Sequence, residues 1–77
     1  MLEKKNLKHT RASVGLSQAQ LAILADVGKA TIAEAEAGRR VQLTTAYAIV
    51  GALNLKLQQR GQPTLTIYDI DWNLGES

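Results

Sequence analysis

The sequence predicts a mainly α-helical domain closed by a short C-terminal β element. Three observations predict this. Through residues 3–54 the chain is rich in Ala, Leu and Gln, with apolar residues recurring at helical spacing. Gly15, Gly28 and Gly38 divide that stretch into pieces of helix length. The single proline, Pro63, marks a change of composition, and beyond it Thr64-Leu65-Thr66-Ile67-Tyr68-Asp69-Ile70 alternates and is β-prone. A chain of 77 residues has room for one domain. At that size roughly 60% of the unfolded surface is buried, so stability has to come from tight helix packing or from oligomerisation. There is no cysteine and one histidine, His9, which excludes disulfides, thiolate sites and multi-histidine zinc sites. No metal or cofactor is expected. No apolar run is long enough to span a bilayer, and Met-Leu-Glu-Lys-Lys-Asn lacks the apolar core of a signal peptide, so a cytoplasmic location is expected.

The elements follow in order. A first helix is expected over 3–14, with Leu7 and Ala12 among Lys4, Lys5, Lys8 and Arg11, and with Gly15 as its stop. His9 reads as a surface residue of that helix. Ser17-Gln18-Ala19-Gln20 has capping-box form and opens a helix over 18–25, whose inner face is Leu21, Ala22, Leu24 and Ala25. Asp26-Val27-Gly28 breaks it. A third helix is expected over 29–37, burying Ile32 and Ala35 and ending at Gly38. After a loop at Arg39-Arg40, Thr44 is expected to cap a fourth helix over 45–53 with the stripe Ala46, Ile49, Val50 and Leu53. Leu55-Lys56-Leu57-Gln58-Gln59 alternates and reads as a strand, Arg60 to Pro63 as a turn, and Thr64 to Tyr68 as a second strand. Two such strands alone are marginal in water and need a helix or another chain to cover them. The expected organisation is a helical domain over 1–54, a β-strand dimerisation element over 55–68 and an acidic tail over 69–77.

Charge is unevenly placed. Residues 1–62 carry nine bases against four acids, a net of +5, and residues 63–77 carry three acids and no base. A basic body suits a polyanionic partner. The acidic tail is expected to add little to nucleic-acid affinity. Within the body, residues 17–38 form two short helices joined by a three-residue turn. Ala22 is small where the helices approach, Val27 can plug the gap, and Ile32 anchors the second helix. That is the requirement of a helix-turn-helix, with its second helix free to enter a major groove.

The segment from Leu7 to Leu53 resembles the lambda-repressor-like (Xre) helix-turn-helix family. The resemblance rests on Gly15-Leu16-Ser17-Gln18-Ala19-Gln20-Leu21-Ala22 and on Thr31-Ile32 followed by Glu36 and Gly38. The sequence departs from the pattern at Asp26, where the family usually has Gly, but Asp tolerates the left-handed conformation better than most residues. A narrower resemblance is to HipB-type antitoxins, through Val27 to Ile32 and through Leu43-Thr44-Thr45, Ile49-Val50, Ala52-Leu53, Leu55 and Leu57. It implies an autoregulatory repressor of a type II toxin–antitoxin operon that neutralises a HipA-like kinase toxin. It also implies a C-terminal β element pairing across a dimer, so Leu55, Leu57, Leu65 and Ile67 are the dimerisation candidates. The alternative is a stand-alone Xre repressor or a restriction-modification controller without a toxin partner.

Candidate DNA-binding residues follow. Lys29 can donate to a guanine edge or a phosphate, and Ala30 and Ala33 allow close approach and touch thymine methyls. Glu34 can accept from a cytosine amine, although it would also repel phosphates. Gly28 and Thr31 share that end of the helix. The resemblance places Gln18 at a phosphate, and Arg39 and Arg40 suit phosphate contacts that set register. It also implies that Arg11 and Glu36 form a structural ion pair. Trp72 either folds back on its own domain or dimer mate, or anchors a partner such as the toxin. The partners expected are a palindromic duplex operator, a second copy of the chain and that toxin, with no membrane. No nucleophile–base–orienter set is visible, so no enzymatic activity is expected.

Overall fold

The computed structural model describes residues 4–75. Glu3, at the expected start of the first helix, and Glu76, one of the tail acids, lie outside the described residues. Four helices and two short strands follow in the order α1 (Leu7–Ser13), α2 (Gln18–Ala25), α3 (Lys29–Glu36), β1 (Arg40–Gln42), α4 (Leu43–Gln59) and β2 (Asn73–Gly75), with one 3₁₀ turn at Ile67–Asp69 before β2. The mainly helical class with a short C-terminal strand holds. Leu24, expected on the inner face of α2, is exposed instead, one residue off the buried Leu21, Ala22 and Ala25, and the expected loop at Arg39-Arg40 runs into β1. Three differences are larger.

The first difference is at α1, which begins later than residue 3. Asn6 caps it, its side chain accepting from the amide of His9 at 3.0 Å. Lys5 lies outside the helix in an isolated parallel bridge with Ile70.

The second is α4, which is six residues longer at its C-terminal end than the expected 45–53 and begins two residues earlier. Residues 55–59 are helix, not strand. Leu53 and Leu57 are both buried and stand one turn apart, extending the stripe of Ala46, Ile49 and Val50, while Leu55 points to solvent. A five-residue alternation fits either period, and Leu, Lys and Gln are good helix formers, so continuation wins. Thr44 is the second helical residue rather than the cap. Gln42 holds the cap position and no side chain caps the helix.

The third is the tail. Residues 64–68 contain no strand. The backbone of Leu65 is held by one side chain: its N–H donates to Asn54 Oδ1 at 2.7 Å and its carbonyl accepts from Asn54 Nδ2 at 2.9 Å. Thr66 and Asp69 then cap each other around the 3₁₀ turn. The chain reaches Lys5, whose N–H donates to Asp69 O and whose carbonyl accepts from Asp71 N, both at 2.7 Å. It ends in β2, which pairs parallel with β1 in the register Arg40–Asn73, Val41–Leu74 and Gln42–Gly75. The C-terminal strand therefore finds its partner within the chain. The strap runs back along α1, from Arg60, which donates to Ser13 O at 3.1 Å, to Lys5.

The core shows what the strap contributes. Ile67 and Ile70 are as fully buried as Leu21, Ile32, Ile49 and Leu53, and they belong to the same apolar cluster. Of the four dimerisation candidates, Leu57 and Ile67 are used in the chain's own core, Leu65 is half-buried, and only Leu55 is exposed.

All four helices close in the same way, with paired backbone hydrogen bonds wrapping the last turn. The left-handed residue at this closure is a glycine after α1, α3 and α4, and Asp26 after α2, at φ 57° and ψ 46°. The amide of Asp26 donates to Ile23 O and that of Val27 to Ala22 O. Asp26 thus does the work of a glycine at some conformational cost. Asp26→Gly should raise the thermal midpoint by a few degrees, on the order of 0.5–1 kcal/mol. The β-branched Asp26→Val should lower stability by about 1–2 kcal/mol, as followed by circular dichroism melts.

Candidate nucleic-acid interface

The α2–turn–α3 unit is assembled from small and apolar residues. Ala22 and Ala25 of α2 and Ile32 and Ala35 of α3 are buried, and Val27, in the turn, is half-buried against the core. With Ile32 and Ala35 facing inward, the opposite side of α3 is open: Lys29, Ala30 and Glu34 are exposed, and Thr31 and Ala33 are half-buried. Gly28 occupies the N-cap, and no side chain caps the helix there. At the other end Gly38, at φ 87°, turns the chain so that Arg39 N–H closes on Glu34 O at 3.0 Å. A side chain at position 38 would be strained, so the glycine fixes the direction in which the two arginines leave α3. Arg39 and Arg40 are both exposed. A hollow of about 260 Å³ lies between α3 and β1, lined by Thr31, Glu34, Arg40, Gln42 and Thr45 among others.

Behind that face lies a buried polar cluster. Arg11 donates from Nε to Glu36 Oε2 at 2.5 Å, from Nη2 to Glu36 Oε1 at 3.2 Å, and from Nη1 to Leu16 O at 2.8 Å. The side chains of Arg11 and Glu36 are only 11% and 6% exposed. Gln18, expected at a phosphate, donates its carboxamide N–H to Glu36 Oε1 at 2.9 Å. One N–H of that group, together with the first amides of α2, remains for other partners. Burial alone would raise the pKa of Glu36. The hydrogen bonds from Arg11 and Gln18 and the charges of Arg11 and Lys8 outweigh it, and the carboxyl lies below its ordinary value.

A helix-turn-helix family pattern matches residues 7–59, more than half of the chain. The chain belongs to the Xre-like helix-turn-helix family. Its members are DNA-binding regulators of transcription. No match was found among curated proteins or among solved structures. The matched segment of this helix-turn-helix protein runs through the whole of α4 and stops before the strap, so β2 and the core residues Ile67 and Ile70 lie outside it. No helix among the described residues is long and apolar enough to cross a membrane.

The structure brings Thr31, Glu34 and Arg40 to one hollow; Lys29 and Ala30 are exposed and Ala33 half-buried on the same helix, with Gly28 and Arg39 at its two ends. The same hollow is lined by Gln42 of β1, a strand visible only once β2 has docked, and by Thr45 in the first turn of α4. Trp72 packs on the core of its own domain, and its indole N–H donates to Ile67 O at 2.9 Å. Of its two expected placements, the described chain has the folded-back one.

The Arg11–Glu36 pair generates a prediction with a definite sign. A depressed folded-state pKa contributes stability that is present above the unfolded carboxylate value, near about 4.3, and is lost as pH falls through the folded value. Melts recorded from pH ~6 down to ~3 should therefore fall less steeply for Glu36→Gln than for the parent. Arg11→Ala should cost about 3 kcal/mol because it strands a buried carboxylate. The double variant Arg11→Ala with Glu36→Ala should cost clearly less than the two single losses added.

Proposed function

We propose that this protein is a sequence-specific transcriptional repressor that binds a palindromic DNA operator as a homodimer, with α3 in the major groove. The observation that carries the reading is the outward face of α3. With Ile32 turned inward, its first five residues present one base, two alanines and a threonine, with no bulky apolar side chain to hold it off a base edge. Its first amides are uncapped, which favours an anionic neighbour. Arg39 and Arg40 flank the other end as phosphate contacts. In a twofold dimer the half-sites would lie about one helical turn apart, roughly 34 Å. Leu55 is the exposed remnant of the expected dimer contact. Sedimentation of the full chain, alone and with duplex DNA, tests the stoichiometry.

The antitoxin reading drew on Trp72 as a free anchor for a kinase-like toxin. With the Trp72 indole N–H donating to the carbonyl of Ile67, that support is gone, and the repressor reading without a toxin partner is the one we favour.

Lys29→Ala should weaken binding to the selected operator by about 1–3 kcal/mol and relax preference at one base position, while Arg39→Ala should weaken all sequences alike and lower the salt dependence. Binding-site selection from random duplexes followed by titration at several salt concentrations measures both. Unchanged base preference in Lys29→Ala would remove α3 from the groove.

A further inference from the structure

We propose that the C-terminal strand positions a DNA contact: β2, through Gly75, fixes the course of the Arg40 side chain and so completes the phosphate-binding surface beside α3. The inference rests on the DNA-binding reading above.

Three observations carry it. In β1, Val41 is buried while Arg40 and Gln42, its neighbours on either side, are exposed, so the strand is pinned by its middle residue and both flanking side chains face out. Among the described residues the only strand beside it is β2, in a register that sets Arg40 against Asn73 and Gln42 against Gly75. The stem of Arg40 lies across Gly75. A Cβ built on Gly75 would fall 2.5 Å from Arg40 Cδ and 2.6 Å from Arg40 Cγ, closer than two carbons can approach. The absent side chain at position 75 is the space the arginine stem occupies. From there Arg40 lines the hollow that it shares with Thr31 and Glu34 of α3.

A free arginine on a three-residue connection samples many rotamers, and binding a phosphate would cost it that freedom. A stem laid against Gly75 has already lost much of it. The same placement keeps a cation on the hollow shared with Glu34, the acid on the outward face of α3, which would otherwise repel the phosphate backbone. The strap is thus a positioning element for Arg40. This departs from the expectation that the acidic tail adds little to nucleic-acid affinity.

The test uses the full-length chain and a random-sequence duplex of about 25 base pairs, titrated by fluorescence anisotropy from ~50 to ~200 mM salt. Gly75→Val forces Arg40 off its path while leaving Ile67, Ile70 and Trp72 in place. Expected are a near-parental circular dichroism melt, affinity at low salt lower by about 3- to 10-fold, and a slope of log affinity against log salt shallower by about 0.9, one phosphate contact. Arg40→Ala should match it, and the double variant should be no weaker than Arg40→Ala alone. A chain ending at Trp72, lacking β2, should show the same loss of slope and serves if Gly75→Val does not fold. Parental affinity and slope in a folded Gly75→Val overturn the proposal, as does an equal further loss when Gly75→Val is added to Arg40→Ala. If the parental chain itself shows no salt-dependent binding, the DNA-binding reading fails instead.

Discussion

Arg11 ties α1 to α3 and to the backbone that leads into α2. Its guanidinium reaches the last residue of α3 and the carbonyl of Leu16 ahead of α2, and Gln18 from the first turn of α2 closes on the same carboxylate. Three helices therefore converge on one buried charge pair. The pair is sheltered enough that neither member is tolerable alone, which makes its geometry a constraint rather than a decoration. It sits at the C-terminal end of α3. Lys29, at the other end, is seven residues and about 10 Å away along the helix axis. The clamp thus fixes the tilt of α3 without occupying the half that has to meet a partner. Ile32 and Ala35 complete the anchoring from the apolar side.

What the clamp does for α3, the strap does for the rest. Ile67 and Ile70 join Ile49 and Leu53 in one apolar cluster, and the turn that carries Ile67 packs against α4. The long α4 makes this possible. By continuing to Gln59 it delivers Gly61 to Pro63 near the end of α1, and the chain can then return along α1 to Lys5 and onward to β1. A 77-residue chain gains core in this way without a second copy, using backbone bonds to Lys5 and to the Asn54 side chain in place of a sheet.

Features set by local chemistry were legible in the sequence. The Ser17–Gln20 box, the left-handed Asp26 and the stop at Gly38 each depend on a few adjacent residues, and each stands where the sequence put it. The outward face of α3 followed from the inward placement of Ile32 and Ala35. The Arg11–Glu36 pair spans 25 residues and came from family resemblance, since no local pattern carries it. The C-terminal third was misread for a physical reason. The alternation from Leu65 to Ile67 does mark residues turned toward the core, but a strand needs a backbone partner, and here the partner of Leu65 is a side chain. The true strand, Asn73–Gly75, has almost no β-forming composition, and only its docking on β1 defines it. Gln42 and Gly75 were invisible as parts of the site because they depend on that non-local pairing.

Charge shows the same gap between order along the chain and order in space. Counted along the sequence, a basic body is followed by an acidic tail. In the fold, the tail acids Asp69 and Asp71 are the two residues whose backbones grip Lys5, so they sit against the basic N-terminal end of the molecule beside Lys4 and Lys5. Asp69 is further turned inward, accepting from the amide of Thr66 at 2.8 Å. Acids placed there offset neighbouring lysines before they oppose a distant polyanion, and salt screens what remains beyond about 8–10 Å. The last three described residues carry no charge of their own, and it is these that reach β1 and the arginine next to α3. Asp69 and Asp71 thus stay at Lys5, and the described residues that pair with β1, Asn73 to Gly75, bring no charge to the surface where a phosphate chain would lie.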